Sequence, residues 1–416
     1  MIALGCVADD FTGASDVASF LANAGINTVL YNGIPAGSAA IEDDCQAIVI
    51  ALKTRTQETA AAVSESLEAF RWLKGQGARQ LFIKYCSTFD STREGNIGPI
   101  ADAVLETEEE PYTILCPALP VNKRKVKEGR LYVNDVPLDE SPMRNHPLTP
   151  MWDSRISELM REQSAYPVYN LTADWYEKPD EALKLIEEYK EKHKHFYLVP
   201  DYYEDCHAEK IVELFGDLSV LTGGSGLMTA LAEKYKKEYG YAEGGRPSDS
   251  SEGGAVLLAG SCSVATLAQI EDYQKKGGKS FRIYPKQLME GAQNMEEMLS
   301  FIRENPGEAV LIYSSAPAEE LKQMQQESGR EQAAALLEQT MAQLAERAVK
   351  EGITRVIVAG GETSGAVTRQ LGFASYRIGS SIAPGVPVMI PLENEKIRLV
   401  LKSGNFVQTD FFTRAL

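Results

Sequence analysis

Short apolar runs alternate with amphipathic stretches along most of this chain, and this alternation constrains the fold more than any other feature. Apolar runs such as 47–51 and 355–359 are rich in β-branched or small apolar residues and end at polar or turn residues, which is typical of strands. In stretches such as 180–192, apolar residues recur on one helical face. Alternating strands and helices favour a mainly parallel sheet that is covered on both sides. The sequence therefore predicts an α/β protein.

The alternation occurs in two series, separated by a segment of different composition. Residues 241–254 are rich in Gly, Ser and charged residues and lack apolar periodicity, which predicts a linker at about 241–253. We therefore expect two α/β domains with mainly parallel sheets, at 1–240 and 254–416. The predicted strands are 2–8, 47–51, 81–84, 113–116, 196–199, 255–259, 309–313 and 355–359. The predicted helices are 15–24, 56–74, 180–192, 205–215, 264–275 and 330–350.

Length, charge and cysteine usage bound the class of protein. The 416 residues suffice for two or three domains with their own cores. The formal net charge of −17 argues against nucleic acid and membrane surfaces as partners, because both are negatively charged. The six cysteines form no Cys-x-x-Cys pair, which favours free thiols in a reducing cytosol. No apolar run approaches the roughly 20 residues that span a bilayer, so we expect a cytoplasmic protein.

Two adjacent carboxylates follow the first predicted strand. Asp9 and Asp10 stand where that strand ends, and in doubly wound sheets ligands bind at the loops that leave the carboxyl ends of strands. Neighbouring carboxylates are costly unless a cation or a proton compensates them. One explanation is that one of the two simply caps the next helix. The other is functional: a general base, a magnesium ligand or a group that binds a hydroxyl.

The loop after the third predicted strand combines cations, a carboxylate and many hydroxyl groups. Residues 84–96 include Lys84, Asp90 and Arg93, and this mixture suits a polyhydroxylated anion. Cations clamp the carboxylate of such a ligand, while Asp, Ser and Asn side chains take its hydroxyl groups. Arg55 follows a neighbouring predicted strand and is a candidate to converge on the same place. A polar loop with a solvated charge pair is the alternative.

A further loop, at 141–147, contains prolines that fix its backbone and suit it to holding a side chain in place. Its His146 is one of four histidines in the chain. Two explanations stay open for His146, a contact to a ligand and an ordinary hydrogen-bonded loop histidine.

The second predicted domain carries glycine loops instead. The segment 260–263 follows one predicted strand and opens a helix, and the segment 360–365 does the same after another strand. Backbone N–H groups at a helix N-terminus bind phosphate, and glycine lets the phosphate approach closely. Together with the segment 402–406, these loops predict nucleotide binding. The chain has no GxxxxGK[ST] loop and no GxGxxG after a strand, so it is neither a Walker-type ATPase nor a standard NAD domain.

These stretches, taken in order, resemble the four-carbon acid sugar kinase family, which includes 3-oxo-tetronate, D-threonate and D-erythronate 4-kinases. The resemblance covers essentially the whole chain, and its longer blocks are specific. The matching segments are ADDFTGASD (8–16), KYCSTFDSTREGNIGP (84–99), ESPMRNHPLTPM (140–151), LTGGSGL (221–227), GSCSVAT (260–266), GGETSGAV (360–367) and KSGNF (402–406).

The resemblance implies an N-terminal sugar-acid-binding domain, a C-terminal nucleotide-binding domain and an active-site cleft between the domains. It also implies phosphorylation of the terminal hydroxyl by ATP, a reaction that needs Mg²⁺. Carried over by motif, the residues expected near the substrate are Asp9, Asp10, Arg55, Lys84, Asp90 and Arg144, and the chemistry of the 84–96 loop adds Arg93. The residues expected to contact ATP are Ser261 or Ser263, Gly360, Gly361, Glu362, Thr363, Gly404 and Asn405.

One position departs from the family pattern, because Val407 follows Phe406 where relatives have glycine. If that glycine serves close approach of the nucleotide, the loop bends differently in this chain. The departure bears less on Gly404 than on positions after Phe406.

A kinase for a four-carbon acid needs a cationic clamp at one end and a base at the other. We assign Arg55, Lys84 and Arg144 to the carboxylate end as a group. We assign Asp10 to the attacking hydroxyl, with Asp9 and Asp90 as the other candidates.

Three other classes of function compete with a kinase. One is a phosphotransferase with an aspartyl nucleophile at Asp9, although the adjacent carboxylates do not match the DxDxT pattern of such enzymes. Another is a non-catalytic regulatory protein that binds a sugar acid and a nucleotide. The third, a nicotinamide-dependent redox enzyme, lacks its fingerprint. The sequence leaves the identity of the acid open, and it leaves room for a homo-oligomer.

Overall fold

The computed structural model describes residues 1–35, 41–145, 149–241, 248–315, 330–402 and 408–416. The chain divides into two compact units, residues 1–246 and residues 247–416. Of the predicted linker at 241–253, residues 242–247 lie outside the described residues.

The first unit alternates strands and helices from its first residues onward. Its strands are β1 Leu4–Ala8, β2 Thr28–Asn32, β3 Ala47–Ala51, β4 Gln80–Lys84, β5 Tyr112–Cys116, β6 Arg124–Lys127, β7 Arg130–Val133, β8 Val136–Pro137, β9 Val168–Leu171, β10 Phe196–Pro200 and β11 Val220–Gly223. Its helices are α1 Phe11–Asn23, α2 Thr59–Gly75, α3 Ile97–Glu108, α4 Ile156–Arg161, α5 Pro179–Lys192, α6 Cys206–Phe215 and α7 Met228–Tyr239.

The main sheet of this unit is parallel and runs in the order β2-β3-β1-β4-β11-β5-β10-β9. Every residue of β1, β3 and β4 is buried, as expected for strands with helices on both faces of the sheet. The register pairs Ala8 with both Ala51 and Lys84, and it pairs Gly223 with Lys84. Four neighbouring strands therefore end at one level, and the loops that follow them emerge side by side.

A small antiparallel sheet, β6-β7-β8, lies within the segment between β5 and β9. Its turns contain residues with positive φ, at Glu128 (52°) and Gly129 (70°) and again at Asn134 (52°) and Asp135 (63°). Two consecutive residues with positive φ form the tight hairpin turn that matches strand twist. The strands of this sheet are short and carry charged side chains, so they lack the apolar pattern from which a strand is predicted.

The second unit repeats the alternation of strands and helices. Its strands are β12 Ala255–Ala259, β13 Lys279–Arg282, β14 Ala309–Tyr313, β15 Arg355–Ala359, β16 Ser375–Ala383, β17 Val386–Pro391 and β18 Arg398–Lys402. Its helices in the described residues are α8 Val264–Lys275, α9 Pro285–Met289, α10 Met295–Arg303, α11 Arg330–Lys350, α12 Gly361–Leu371 and α13 Phe411–Arg414.

Within this unit the strands β13-β14-β12-β15-β18 are parallel, and β18-β17-β16 continue the sheet antiparallel. Ala259 pairs with Ala359, and Ala359 pairs with Lys402, so β12, β15 and β18 end at one level. On one face, a core that includes Leu257, Ile357 and Phe411 is buried. This arrangement brings the glycine-containing segments 260–263 and 360–365, together with Lys402, to the same edge of the sheet.

The prediction of an α/β protein with mainly parallel sheets is confirmed. The predicted strands at 47–51, 255–259, 309–313 and 355–359 have the observed bounds, and the other predicted strands differ by one or two residues. Helix α1 begins four residues before the predicted start, because Asp10 rather than a later hydroxyl residue caps it. Among the described residues, no helix combines the length and the apolar character needed to cross a bilayer.

Replacing Gly223 by alanine should destabilise the first unit. A Cβ at this position would lie within 3 Å of the backbone carbonyl of Cys116 on the neighbouring strand β5, and neither backbone can move freely. We expect Gly223→Ala to lower the free energy of unfolding by about 1–3 kcal/mol, measured by urea denaturation.

The matched control is Gly75→Ala, at the exposed last turn of α2, where a Cβ meets nothing within 4 Å. Because alanine favours a helix over glycine, this variant should be stabilised by up to about 1 kcal/mol. Equal effects of the two substitutions would contradict the assigned β11–β5 contact.

Candidate active site

The carboxyl ends of β1, β3 and β4 bring most of the predicted substrate residues together. Asp9 and Asp10 follow β1, Lys84 ends β4, and Arg55 stands in a 3₁₀ turn at Thr54–Thr56 after β3. The backbone N–H of Arg55 donates to the carbonyl of Asp9 at 3.4 Å, so the two loops touch directly. Loops at the carboxyl edge of a parallel sheet are the usual place for a ligand.

The guanidinium of Arg55 joins the two adjacent carboxylates. It donates to both oxygens of Asp9, each at 2.9 Å, and lies 2.9 Å from an oxygen of Asp10. Burial raises the pKa of Asp9, and Arg55 partly reverses this rise. Burial alone would lower the pKa of Arg55, but the two carboxylates outweigh it and raise that pKa. One shared cation, Arg55, therefore compensates the repulsion between the two adjacent carboxylates.

Asp10 has a structural role as well as a place in this cluster. Its Oδ1 accepts the backbone N–H of Gly13 at 2.6 Å, which caps helix α1. Its Oδ2 faces Arg55. The capping role that the sequence left open thus belongs to Asp10, while both carboxylate oxygens of Asp9 accept hydrogen bonds from Arg55.

Lys84 is a nearly buried cation with unused hydrogen-bonding capacity. Its side chain is 3% exposed, and its Nζ donates to the backbone carbonyl of Tyr85 at 3.0 Å. Within the described ranges it makes no other hydrogen bond and no ion pair within 4 Å. An ammonium has three donors, so Lys84 can still hold an anionic group. Gly13 makes room for it, because a Cβ at residue 13 would lie 3.1 Å from Nζ.

The loop after β4 positions Asp90. The Asp90 carboxylate accepts the hydroxyl of Thr88 at 2.6 Å and lies 3.9 Å from Arg55. The amide of Asn96 donates to the carbonyls of Thr54 and Gln57 at 2.6 and 2.9 Å, which fastens this loop to the turn that carries Arg55.

Cys86, in the same loop, is kept in its thiol form. Burial raises the pKa of this thiol to about 12. The thiolate is the reactive form of cysteine, so Cys86 is not set up as a nucleophile.

Two of the predicted substrate residues lie apart from this cluster. Arg93 pairs with Glu162 at 3.2 Å and stacks on Trp152 with its guanidinium carbon 3.8 Å from the ring centre. Arg144 is exposed in a 3₁₀ turn at Pro142–Asn145. His146 lies outside the described residues.

Three residues of the cluster were not singled out from the sequence. Asp16, one turn further along α1, accepts a hydrogen bond from the hydroxyl of Ser225, which is fully buried after β11. Arg124, at the start of β6, lies near Asp16 and Asp90, and burial lowers its pKa. Asp16 and Ser225 stand inside the family segments ADDFTGASD and LTGGSGL, which was the available signal. No such signal in the sequence marked Arg124, because a run of basic residues usually indicates a solvated surface.

In the second unit, the predicted nucleotide loops meet at the edge of the sheet. The N–H groups of Gly260 and Ser261 donate to the carbonyl of Ala359 at 3.1 and 3.3 Å, and the N–H of Gly360 donates to the carbonyl of Lys402 at 2.9 Å. Gly360 has φ 136°, a conformation that favours glycine. A side chain at Gly260 would collide with the hydroxyl of Thr363. The loops are therefore held against one another by backbone bonds and by the absence of side chains.

The two helix starts at this edge expose polar groups. The Ser263 hydroxyl caps α8 by accepting the N–H of Thr266 at 3.2 Å. At the start of α12, Gly361 and Glu362 are exposed. A Cβ at Gly361 would meet nothing within 4 Å, so this turn is open to a ligand. Glu338, on α11, has a pKa raised by burial and by the charge of Glu362.

Lys402 lies under the first turn of α8. It is 2% exposed, its Nζ donates to the hydroxyl of Thr266 at 2.9 Å, and burial lowers its pKa to about 8. The predicted contacts Gly404 and Asn405 lie outside the described residues, as does Val407.

Two family models match this chain, one in each unit. The model for a sugar-binding N-terminal domain matches residues 4–231, and the model for a nucleotide-binding C-terminal domain matches residues 256–412. The cluster around Arg55 lies in the first match, and the glycine loops at 260–263 and 360–365 lie in the second.

Full-length relatives and solved structures agree with the family models. A 3-oxo-tetronate kinase of Burkholderia multivorans is 42% identical and covers 99% of this chain and 96% of the relative. A 3-oxo-tetronate kinase of Pseudomonas fluorescens is 41% identical with the same coverage. A solved structure from Salmonella typhimurium has a TM-score of 0.90 at 38% identity, covering 100% and 99% of the two chains. A solved structure from Haemophilus influenzae has a TM-score of 0.83 at 40% identity, covering 99% and 98%.

Removing Arg55, the cation that Asp9 and Asp10 share, should destabilise the folded protein. We expect Arg55→Met to lower the free energy of unfolding by about 3–5 kcal/mol near pH 8, because Asp9 would stay buried without a counter-charge. The pKa of Asp9 is already raised in the folded protein and rises further in this variant. The folded state then binds more protons than the unfolded state, so stability falls as pH rises above the ordinary range of a carboxyl.

Urea denaturation at pH 5 and pH 8 measures this effect. The deficit of Arg55→Met should be smaller at pH 5, and a second substitution, Asp9→Asn, should recover part of it at pH 8. A deficit that does not change with pH, together with no recovery in the double variant, would contradict the assigned ion pair.

Proposed function

Because the chain belongs to the four-carbon acid sugar kinase family, we propose that it is an ATP-dependent kinase that phosphorylates the terminal hydroxyl of a four-carbon sugar acid. The full-length relatives make 3-oxo-tetronate the first candidate substrate. The observation that carries the proposal is Lys84, a buried ammonium with unused donors that lines one cavity of the sugar-binding domain together with Asp9 and Asp90. That combination suits a ligand with a carboxylate and several hydroxyl groups.

The carboxylate of the sugar acid is assigned to Lys84 and Arg124. Arg55 was grouped with Lys84 on sequence grounds, but its donors are already directed at Asp9 and Asp10. It serves mainly to keep those two carboxylates charged and in place. The hydroxyl groups of the substrate then face carboxylate oxygens, which are strong acceptors.

Asp10 remains the preferred base for the attacking hydroxyl. Of the two strand-end carboxylates, Asp10 is the more exposed, with 33% of its side chain accessible against 11% for Asp9. In the transfer step the terminal oxygen forms a bond to the γ-phosphorus of ATP, the bond between that phosphorus and the β–γ bridging oxygen breaks, and ADP leaves. The hydroxyl proton passes to Asp10. Positioning and charge stabilisation supply most of the catalysis in such a transfer.

The residues at the edge of the second unit fit a nucleotide and its magnesium ion. The open first turn of α12, at Gly361 and Glu362, offers backbone N–H groups to phosphate oxygens, and Gly360 stays a predicted contact. Glu362, with Glu338 behind it, offers carboxylate oxygens of the kind that Mg²⁺ accepts. When bound, Mg²⁺ neutralises charge on the phosphates. Gly404 and Asn405 stay predicted contacts to ATP. The cleft between the two domains stays the predicted location of the active site.

The proposed function is tested by coupled detection of ADP release. The panel comprises D- and L-threonate, D- and L-erythronate, and the 2-oxo and 3-oxo tetronates, each with Mg·ATP. We expect turnover with at least one acid and no stimulation by acids that lack a terminal hydroxyl. Thermal stabilisation by an acid without ADP release would instead favour the non-catalytic binding protein, and trapped phospho-aspartate would favour the aspartyl phosphotransferase.

The role of Asp10 is tested by Asp10→Asn. Asparagine also caps helices, so the fold should be retained, while loss of the base should lower kcat by about 10²–10⁴. The KM for ATP should change little. Steady-state kinetics measure both values.

A matched control is Asp135→Asn, which removes a carboxylate from an exposed ion pair with Lys125 in a hairpin turn. Its kcat should equal that of the wild type. If Asp10→Asn turned over as fast as this control, Asp10 would lose the role of base.

A further inference from the structure

A small cavity adjoins the carboxylate cluster of the first unit. Its volume is about 20 Å³, and Asp9, Lys84 and Asp90 line it together with Ser66 and Asn96. A water-sized group needs roughly 10–15 Å³ of such space and at least two polar partners. The cavity therefore has room for one group of this size.

Ser66 brings a hydroxyl group to an otherwise apolar face of α2. The buried residues of this helix recur at helical spacing, and they are Ala62, Ser66, Ala69, Phe70 and Leu73. Ser66 is 1% exposed, and its Oγ has no hydrogen-bond partner in the described part of the chain. A serine inside a helix often bonds the carbonyl four residues earlier, but this one does not. Its hydroxyl is therefore left for a group in the cavity that Ser66 lines.

The side-chain oxygen of Asn96 is a second unpartnered atom at this cavity. The amide nitrogen of Asn96 donates to the carbonyls of Thr54 and Gln57 at 2.6 and 2.9 Å. Because a nitrogen has to face these two acceptors, the two bonds fix which end of the amide is the oxygen. Asn96 is 4% exposed, and no described residue donates to its Oδ1. This oxygen can only accept, so its partner has to be a donor.

One hydroxyl oxygen meets both requirements. Buried polar atoms that lack partners are costly, so native structures usually pair them. A hydroxyl group can donate to Asn96 Oδ1 and accept from the Ser66 hydroxyl at the same time. Lys84 lines the same cavity and keeps unused donors for a further bond to such an oxygen.

We propose that this cavity binds a single hydroxyl oxygen, which donates a hydrogen bond to Asn96 Oδ1 and accepts one from the Ser66 hydroxyl. A water molecule offers this chemistry, and so does a secondary hydroxyl group of the four-carbon sugar acid. The second source rests on the proposed function, and the first does not. A keto oxygen is excluded from this position because it cannot donate to Oδ1. Ser66 and Asn96 thus select a hydroxyl group over a keto group.

The stability of Ser66→Ala, compared with that of Ser64→Ala, tests the site without any added ligand. Both serines belong to α2, but Ser64 is exposed, so the two variants share the same gain in helix propensity. If a hydroxyl oxygen bonds Ser66, the unfolding equilibrium constant of Ser66→Ala should be roughly fivefold larger than that of Ser64→Ala. Urea denaturation of the full chain measures both constants.

The opposite order of stability would overturn the proposal. If no group in the cavity bonds Ser66, the substitution removes a buried polar atom that has no partner. Ser66→Ala would then be at least as stable as Ser64→Ala.

A crystal structure of the full chain gives an independent measurement. We expect an ordered oxygen within hydrogen-bond distance of both Asn96 Oδ1 and Ser66 Oγ. In crystals with a bound tetronate, a water molecule that stays in place identifies water as the source, and an oxygen of the acid in its place identifies the acid. The lack of any ordered oxygen in both crystals would refute the site.

Binding of deoxy acids separates the two sources in solution. Relative to a tetronate with both secondary hydroxyl groups, 2,4-dihydroxybutanoate and 3,4-dihydroxybutanoate each lack one of them but keep the carboxylate and the terminal hydroxyl. If the acid supplies the oxygen, one of these acids should bind roughly tenfold more weakly than the tetronate to the wild type. That penalty should largely disappear in Ser66→Ala and persist in Ser64→Ala, as measured by calorimetry. Equal penalties in all three proteins would identify water as the source.

The outcomes separate this inference from the proposed function. If no acid of the panel binds or is turned over, the kinase proposal falls, while the comparison of Ser66→Ala with Ser64→Ala still decides whether the cavity binds a hydroxyl oxygen. If an acid is turned over but Ser66→Ala is at least as stable as Ser64→Ala, the hydroxyl site is refuted and the kinase proposal stands.

Discussion

The ion pair between Arg55 and the two carboxylates after β1 is the interaction on which the first unit's site depends. Parallel pairing of β3 with β1 brings an arginine turn and two carboxylates to one level. The guanidinium then compensates the negative charge of the nearly buried Asp9. With that charge in place, Asp10 can cap α1, and the start of α1 fixes Gly13 beside Lys84.

A second constraint follows from this arrangement. The residues that hold the cluster together are not the ones with spare capacity for a ligand. Arg55 is occupied by its carboxylates, whereas Lys84 keeps free donors despite being buried. Under the proposed function, a structural cation and a ligand-binding cation thus stand at strand ends of the same level. Their different partners, rather than their residue type, separate the two roles.

The sequence predicted the cluster residues that directly follow strands. It missed residues that reach the cluster from the face of a helix or from the small antiparallel sheet. Asp9, Asp10 and Lys84 were accessible because apolar runs mark the strands, and parallel strands end at a common edge. Asp16 was missed because its position on a helix face depends on where α1 begins. Arg124 was missed because the short β6 strand has no apolar pattern, and only the folded chain shows where it lies. Arg93 was chosen for its charge and loop, but local partners, Glu162 and Trp152, engage it.

The hairpin that carries Arg124 has a consequence for how this scaffold diversifies. Its strands are held in register by two-residue turns at Glu128–Gly129 and Asn134–Asp135. Side chains alternate across a strand, so an insertion of one residue in β6 would swap the arginine for a neighbour on the opposite face. The central sheet and its ion pair would be untouched. Under the proposed role of Arg124, changes in this small sheet therefore offer evolution, or an engineer, a way to alter which acids are accepted while leaving the folding core intact.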